Sequence, residues 1–402
     1  MPISAAMQDW VDRARAVSAW DAINAHVPHS LKLRGNEAVG PCPACGGKDR
    51  FSINLRKNVW YCRKSDKGGD AIALLEYVLP CDFKTAVEVL TGEKPPIGPA
   101  GAGVDQEQAK RRAAARARRE AQASRDENEY RLREIERADK IWREGLPIAG
   151  TIAQDYLERR NVRLAAGARV RFHPQLKYWH HLENKNERVV LKEAPALLAR
   201  IDDEDHHFLG CHCTYLDLTT RKGKAQIVDP ETGELLDAKK VRGSQRGGHI
   251  HLGGDPKTAT QLYIGEGLET VGSVFSAFAE EGRDLGPMLF WTSVNLGNLG
   301  GPAAETIKHP VMKRTDRKGR RLAVRVPGPF PKIGPDIPAL MPPHQVEDIC
   351  LLGDGDSDRF STEQVLKRAA TRWRLPGRTI RAAWAADGMD FNDMRMDTAA
   401  HG

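Results

Sequence analysis

Residues 262–270, Leu-Tyr-Ile-Gly-Glu-Gly-Leu-Glu-Thr, constrain this chain more than any other stretch. Three residues of strand character run into a carboxylate, Glu266, with a glycine on each side, and a helical pattern follows to about residue 281. The carboxyl edge of an open α/β sheet is where ligands bind. Gly265 and Gly267 carry no Cβ, so a phosphate or a metal ion can come close to the backbone there. Residues 349–358, ICLLGDGDSD, again run from an apolar strand into acid. If that strand continues through Asp354 and Asp356, their i, i+2 spacing puts both carboxylates on one face. Three carboxylates at strand ends offer the hard oxygen donors that suit Mg²⁺. A purely structural role for so many acids would need cations beside them, which favours a functional reading.

In this order, the two stretches resemble the Toprim domain of bacterial and phage DNA primases, topoisomerases and some nucleases. The likeness covers about residues 258–395. It implies a Rossmann-like α/β domain read as β-α-β, an insertion, then β-α-β. The second strand falls at 288–292, and a helix and strand follow the acidic motif at 361–374 and 379–384. The segment 300–343, rich in Pro, Gly and basic residues, reads as a loop insertion or a small excursion beside the site. Asp354 and Asp356 become ligands to Mg²⁺ or Mn²⁺, with Asp358 a third ligand or a group behind them. Glu266 completes the metal site or acts as a base, and Gly265 and Gly267 admit the nucleotide phosphate. The final ADGMDFNDM resembles the closing acidic turn of phage primases. Asp387, Asp390 and Asp393 are therefore secondary candidates, or else an exposed acidic tail.

With 402 residues, two or three domains are expected. No run approaches the roughly 18 apolar residues of a membrane span, and no charged-then-apolar leader opens the chain. A cytoplasmic protein without a membrane partner is expected. Seven cysteines, an odd number that includes a local C-x-x-C, fit metal binding better than a disulfide framework. The net charge of +7 is a mild basic bias, consistent with nucleic acid.

Residues 1–35 read as an amphipathic helical region with Trp10, Val17, Trp20 and Ile23 as its apolar positions. Cys42 and Cys45 then form a CPxCG knuckle, two short alternating strands follow at 50–54 and 58–61, and Cys62 comes next. Thiolates paired across a hairpin build a zinc ribbon, and a structural Zn²⁺ takes four ligands. CPACGGKDRFS, then W-x-C, then GGD-A-I-A-L-L resemble the zinc-binding domain of phage and plasmid primases. That pattern carries a fourth cysteine where this chain has Ser65. Asp66, Cys81, His26, His29 or water are candidates for the fourth position; the alternative is a metal-free ribbon held by its own packing. Lys48, Arg50, Arg63, Lys64 and Lys67 surround the knuckle, and the resemblance implies phosphate contacts for them; a solvated basic face is the alternative. Residues 70–90 read as two short helices, with Cys81 a small core residue.

Residues 93–104 form a Pro/Gly linker. Residues 106–143 favour a long exposed helix, whose basic half (Lys110, Arg111, Arg112, Arg116, Arg118, Arg119) is more often solvated than bound to nucleic acid. Residues 147–254 suggest a small α+β unit, with a helix at 151–160 and strands at 168–172, 196–202 and 209–218. This unit resembles the region before Toprim in primases, where a basic wall faces the template. The candidates are Arg159, Arg160, Lys239, Lys240, Arg242 and Arg246. Cys211 and Cys213 share one face of a strand and are expected in the core rather than on a metal.

The domains expected are a zinc-ribbon-like domain at 1–92, a linker and charged helix at 93–143, an α+β subdomain at 144–257 and a catalytic α/β domain at 258–402. The resemblance implies a phage- or mobile-element-type DNA primase. Such an enzyme makes short RNA primers on single-stranded DNA from nucleoside triphosphates. No Walker A pattern occurs in the sequence, so a separate replicative helicase is the expected partner. A metal-dependent nuclease of the same fold is one alternative. A non-catalytic DNA-binding replication protein is another, favoured only by the missing fourth cysteine.

Overall fold

The computed structural model describes residues 5–27, 29–96, 106–182, 187–315, 321–334 and 337–401. Much of the linker expected at 93–104 lies outside them, as do most side chains of the basic run at 110–119. The described residues form two compact units, one before residue 129 and one from Glu129 onward.

In the first unit, α1 (Ala5–Ala16) and α2 (Ala19–His26) lead into five strands: β1 (Lys32–Arg34), β2 (Glu37–Cys42), β3 (Gly46–Asn54), β4 (Val59–Cys62) and β5 (Lys67–Gly69). They pair consecutively and antiparallel. Alternation along β3 and β4 buries Phe51, Ile53, Trp60 and Cys62 on one face. Helix α3 (Ala71–Val78), capped by Asp70, packs Leu74 onto that face. Its other apolar residues meet α1 and α4 (Phe83–Thr91) around the buried Trp10. Ala, Arg and Glu dominate α5 (Gln106–Glu144), the long helix expected at 106–143.

The second unit follows α6 (Ile152–Arg159) with the long strands β6 (Val170–Leu182) and β7 (Glu187–Asp202). Next come β8 (Phe208–Tyr215), the short pair β9 (Ile227–Val228) and β10 (Leu235–Leu236), then β11 (Lys239–Gly243) and β12 (His249–Gly253). Then follow β13 (Gln261–Gly265), α7 (Leu268–Glu280), β14 (Met288–Thr292), α8 (Leu296–Gly300) and the ribbon β15 (Thr306–Thr315) with β16 (Arg321–Pro327). The chain ends with β17 (Asp348–Gly353), α9 (Arg359–Trp373), β18 (Thr379–Trp384) and α10 (Phe391–His401).

The main sheet orders its strands β11-β8-β7-β12-β14-β13-β17-β18, with β6 beside β7. The boundary expected after residue 257 falls inside this sheet. Strand β12 pairs antiparallel with β7 on one side and β14 on the other, so the α+β segment and the α/β segment are one body. Strands β14, β13, β17 and β18 are parallel; β14, β13 and β17 are buried on both faces, whereas β18 is the partly exposed edge. Tyr263, Cys350 and Leu352 face α7, while Leu262, Ile264, Ile349 and Leu351 join the core that includes Leu366 and Trp373 of α9.

Candidate functional site

Parallel pairing in register brings the carboxyl ends of four strands to one edge. Gly265 of β13 sits opposite Thr292 of β14, and Gly353 of β17 opposite Trp384 of β18. Glu266 and Asp354 are the first residues past their strands. A cleft of about 410 Å³ opens there. Glu266, Asp354, Asp356 and Asp390 line it together with Arg160, Lys224, Lys239 and Lys240.

Asp354 and Asp356 reach the cleft by a different route from the one expected. Strand β17 stops at Gly353, and the two acids sit on the turn that follows rather than on one strand face. Gly355 between them is pressed on the β18–α10 turn: a Cβ there would lie 2.1 Å from the carbonyl oxygen of Ala386. The Gly355 N–H donates to Met389 O at 2.8 Å, and the Gly388 N–H donates to Gly355 O at 3.0 Å. This lacing carries Asp390 into the cleft. Asp387 and Asp393 do not line it.

Burial, opposed by the Thr270 hydroxyl and reinforced by Asp390, Glu266 and Asp356, pushes the Asp354 carboxyl up to about 7. Burial and Asp356 raise Glu266 as well, against the field of Lys239. Acids that resist ionisation beside one another form a site that gains from a cation. The donors are hard oxygens. No three carboxylate oxygens draw within 4.8 Å of one another among the described residues, whereas three thiols do. Mg²⁺ keeps several waters and uses one or two carboxylates directly, so the open spacing fits that ion.

The other expected site residues fall in several places. Gly267 lines the cleft, and an added Cβ would fit without a clash, the nearest atom, Thr270 Oγ1, being 3.7 Å away. Gly265 does not line it; a Cβ there would lie 3.1 Å from Leu352, so this glycine serves strand packing. Asp358 caps α9, accepting from the Ser361 N–H at 2.8 Å and bonding His309 at 3.1 Å, outside the cleft. Lys239 and Lys240 line the cleft; Arg242 lines a separate groove beside β6. Arg159 donates to the carbonyls of Leu218 and Arg221.

Several cleft residues carried no assignment from the sequence. Glu269, buried, is 2.6 Å from the Tyr156 hydroxyl, 2.9 Å from Lys224 Nζ and 3.0 Å from Lys239 Nζ. Thr270 donates to Asp354 at 3.1 Å. His212 points to the cleft, while Cys211 and Cys213 on the opposite face are buried in the core as expected. Burial and Lys239 hold His212 down at about 4, so it is neutral at pH 7. The signal for Glu269 and Thr270 was their place in the first turn of the helix after Gly-Glu-Gly, at the ligand-binding edge of the sheet.

In the first unit, Cys42, Cys45 and Cys62 bring their sulfurs within 4.8 Å of one another. The Cys45–Cys62 separation is 3.6 Å. Thiolates at the corners of a zinc tetrahedron stand about 3.8 Å apart, so the three fit that ion. Burial pushes Cys42 up to about 12. Burial also pushes Cys62 upward, but hydrogen bonds from Ser65 and the other two cysteines outweigh it and bring that thiol to about 7. None of Asp66, Cys81, His26 and His29 joins the cluster. Asp66 accepts from Tyr61, Cys81 bonds Leu75 O, and His29 bonds Asn24. Ser65 instead bonds Tyr77 at 2.9 Å, and Tyr77 bonds Cys42 at 3.2 Å. Lys48, Arg63 and Lys64 are exposed around the knuckle; Arg50 is half-buried over Gly47.

Residues 38–72 match the zinc-binding domain of primase-helicase. The ribbon is therefore of the primase type, and the thiol cluster together with this match supports Zn²⁺ as its metal. Residues 132–252 match DUF7146, a domain of unknown function. Among solved structures, the chain is similar to the zinc-binding and RNA polymerase domains of the Aquifex aeolicus primase. The identity is 13%, over 99% of this chain and 84% of that one, with a TM-score of 0.33. The DnaG primase catalytic domain bound to ssDNA shares 11% identity over 67% of this chain and 78% of its own, TM-score 0.35. The primase fragment of the bacteriophage T7 primase-helicase protein shares 9% over 92% and 97%, TM-score 0.28. Scores of this size do not establish a common fold. Among the described residues no helix is long and apolar enough to cross a membrane.

Proposed function

We propose that this protein is a DNA primase that makes short RNA primers on single-stranded DNA by metal-dependent nucleotidyl transfer. One observation carries the reading: a cleft lined by acids and lysines together, at parallel strand ends, in a chain whose ribbon matches a primase zinc-binding domain. Asp354, Asp356 and Glu266 would hold Mg²⁺ or Mn²⁺, which when bound lowers the pKa of the attacking hydroxyl and neutralises charge on the phosphates. The sugar hydroxyl of the growing primer attacks the α-phosphate of a nucleoside triphosphate. The new P–O bond forms as the bond to pyrophosphate breaks. Glu266, whose carboxyl is raised by burial, completes the metal site or takes the proton. Lys239, Lys240 and Arg160 face the triphosphate, and Gly267 leaves room for it. This reading identifies β13 to β18 with a Toprim domain and assigns a separate helicase as partner.

The test is primer synthesis on single-stranded DNA with labelled ribonucleotides and Mg²⁺. Short products from wild type and none from the double variant Asp354→Ala/Asp356→Ala are expected. Metal-dependent DNA cutting with no primer would move the assignment to a nuclease, and DNA binding with neither activity would leave a non-catalytic replication protein.

A further inference from the structure

Among the described residues, the ribbon β15–β16 pairs with no other strand. Its two strands hold Lys308, Lys313, Arg314, Arg321 and Arg325 and no acidic residue. Lys308 stands directly opposite Arg325. Like charges opposed across a ribbon destabilise it. Val311 is 77% exposed and Leu322 41% exposed on the same ribbon. An isolated two-stranded ribbon is marginal in water, and this composition makes it more so.

The fold nevertheless mounts it firmly. Arg368 of α9, 2% exposed, donates to the carbonyls of Gly300 and Gly301 before the ribbon and of Gly328 after it. A buried guanidinium thus clamps both feet to the helix. At the base of β15, His309 bonds Asp358, the residue after Ser357 of the cleft lining. A basic arm with exposed apolar side chains is held at the end of the acidic motif.

We propose that β15–β16 is a nucleic-acid arm that grips the backbone of the double-stranded product as it leaves the cleft. Phosphates supply the charge that the opposed cations lack. A two-stranded ribbon fits a nucleic-acid groove. In an RNA–DNA hybrid of A-form geometry, the wide and shallow minor groove is the one that admits it. The choice of a hybrid rests on the primer-synthesis reading; the arm's affinity for duplex phosphates does not.

The test measures fluorescence anisotropy of the full chain with a preformed RNA–DNA hybrid of about 12 base pairs and with single-stranded DNA of the same length, without nucleotides. In the triple variant Lys308→Ala/Lys313→Ala/Arg321→Ala, hybrid Kd is expected to rise about tenfold or more, and the log–log salt slope to fall by about 2–3, one counterion for each lost contact. Single-strand affinity is expected to change less than about twofold. The charge-preserving variant Lys308→Arg/Lys313→Arg/Arg321→Lys is expected to bind the hybrid like wild type, which separates lost contact from lost folding. Unchanged hybrid binding in the alanine variant, or an equal loss for the single strand, would overturn the proposal. Because binding is read without synthesis, either result leaves the catalytic reading to its own experiment.

Discussion

Tyr156 donates its hydroxyl hydrogen to Glu269, 113 residues later in the chain, at 2.6 Å. The two lysines that complete the cluster come from the β8–β9 loop and from β11, so a single buried carboxylate ties four separate stretches into one wall of the cleft. Burial works against ionisation of Glu269, but Lys239, Lys224 and the tyrosine win and hold it well below the ordinary carboxylate range. The same carboxylate raises Lys239, whereas burial lowers Lys224. One anion between two ammonium groups leaves net positive charge facing Asp354.

Glu269→Gln removes the buried anion and leaves two partly buried cations without it. The expected cost is about 3 kcal/mol, a fall in Tm on the order of 5–10 °C for a unit of this size. The pH dependence follows from the sign of the shift. A carboxyl depressed by folding contributes its stability above its unfolded value of about 4.5 and loses it as pH falls through the folded value. The gap between wild type and Glu269→Gln in thermal melts is therefore expected to be full at neutral pH and to close in acid. A constant gap would mean that the carboxylate is not the element holding the wall.

Asp354 carries the opposite sign. Its carboxyl stands at about 7 in the fold, above its ordinary 3.8. Between those values the native state binds the extra proton, so without a cation stability falls as pH rises through that window. Asp354→Asn is expected to match wild type near pH 4 and to melt higher at about pH 8. Added Mg²⁺ is expected to raise the melting temperature of wild type and not of the variant. A variant that melts lower at pH 8 would show that the carboxylate is satisfied by the protein alone.

Much of this arrangement was legible in the sequence where apolar runs meet local punctuation. Strands β13 and β17 and helix α7 follow from uninterrupted apolar residues broken by Gly-Glu-Gly and Asp-Gly-Asp. Pairing across distance was not legible. Strand β12 joins β7 to β14 through backbone hydrogen bonds, which carry no side-chain signature, so one body read as two. Strand β6 is mostly polar on its open face and showed only its first residues as a strand. Asp358 counted as an acid of the motif, although an Asp directly before a helical pattern is a favoured helix cap. Pro310 and the dense basic residues hid the β15–β16 ribbon inside an apparent loop.

The zinc ribbon offers a gain-of-function test. Ser65 occupies the corner where a fourth thiolate is expected, held there by Tyr77. Ser65→Cys is expected to tighten Zn²⁺ binding about tenfold or more, since structural zinc sites close with four ligands. Cys62→Ser is expected to lose the metal. Competition with a chromogenic chelator reads both. Equal affinity of Ser65→Cys and wild type would place the fourth ligand elsewhere, with a water or another residue already filling the tetrahedron.

Two glycines separate packing from ligand approach. At Gly355 a Cβ would meet the backbone carbonyl of Ala386 at 2.1 Å, and backbone cannot swing aside as a side chain can. Gly355→Ala is expected to cost about 2 kcal/mol or more through strain and to move Asp354, Asp356 and Asp390 together, abolishing primer synthesis. Gly267 lines the cleft, and an added Cβ there would meet the side chains of Thr270 and Glu269 at ordinary contact distances of 3.7 and 3.8 Å. Gly267→Ala puts a poor helix cap in place of an acceptable one and is expected to cost about 1 kcal/mol or less. Its effect belongs in KM for the nucleotide, because the added methyl stands where a phosphate must approach the backbone. Melting curves and primer-synthesis kinetics of the two variants decide the matter. A Gly267→Ala protein that is stable and has an unchanged KM would remove this glycine from the nucleotide site and leave it as a plain helix start.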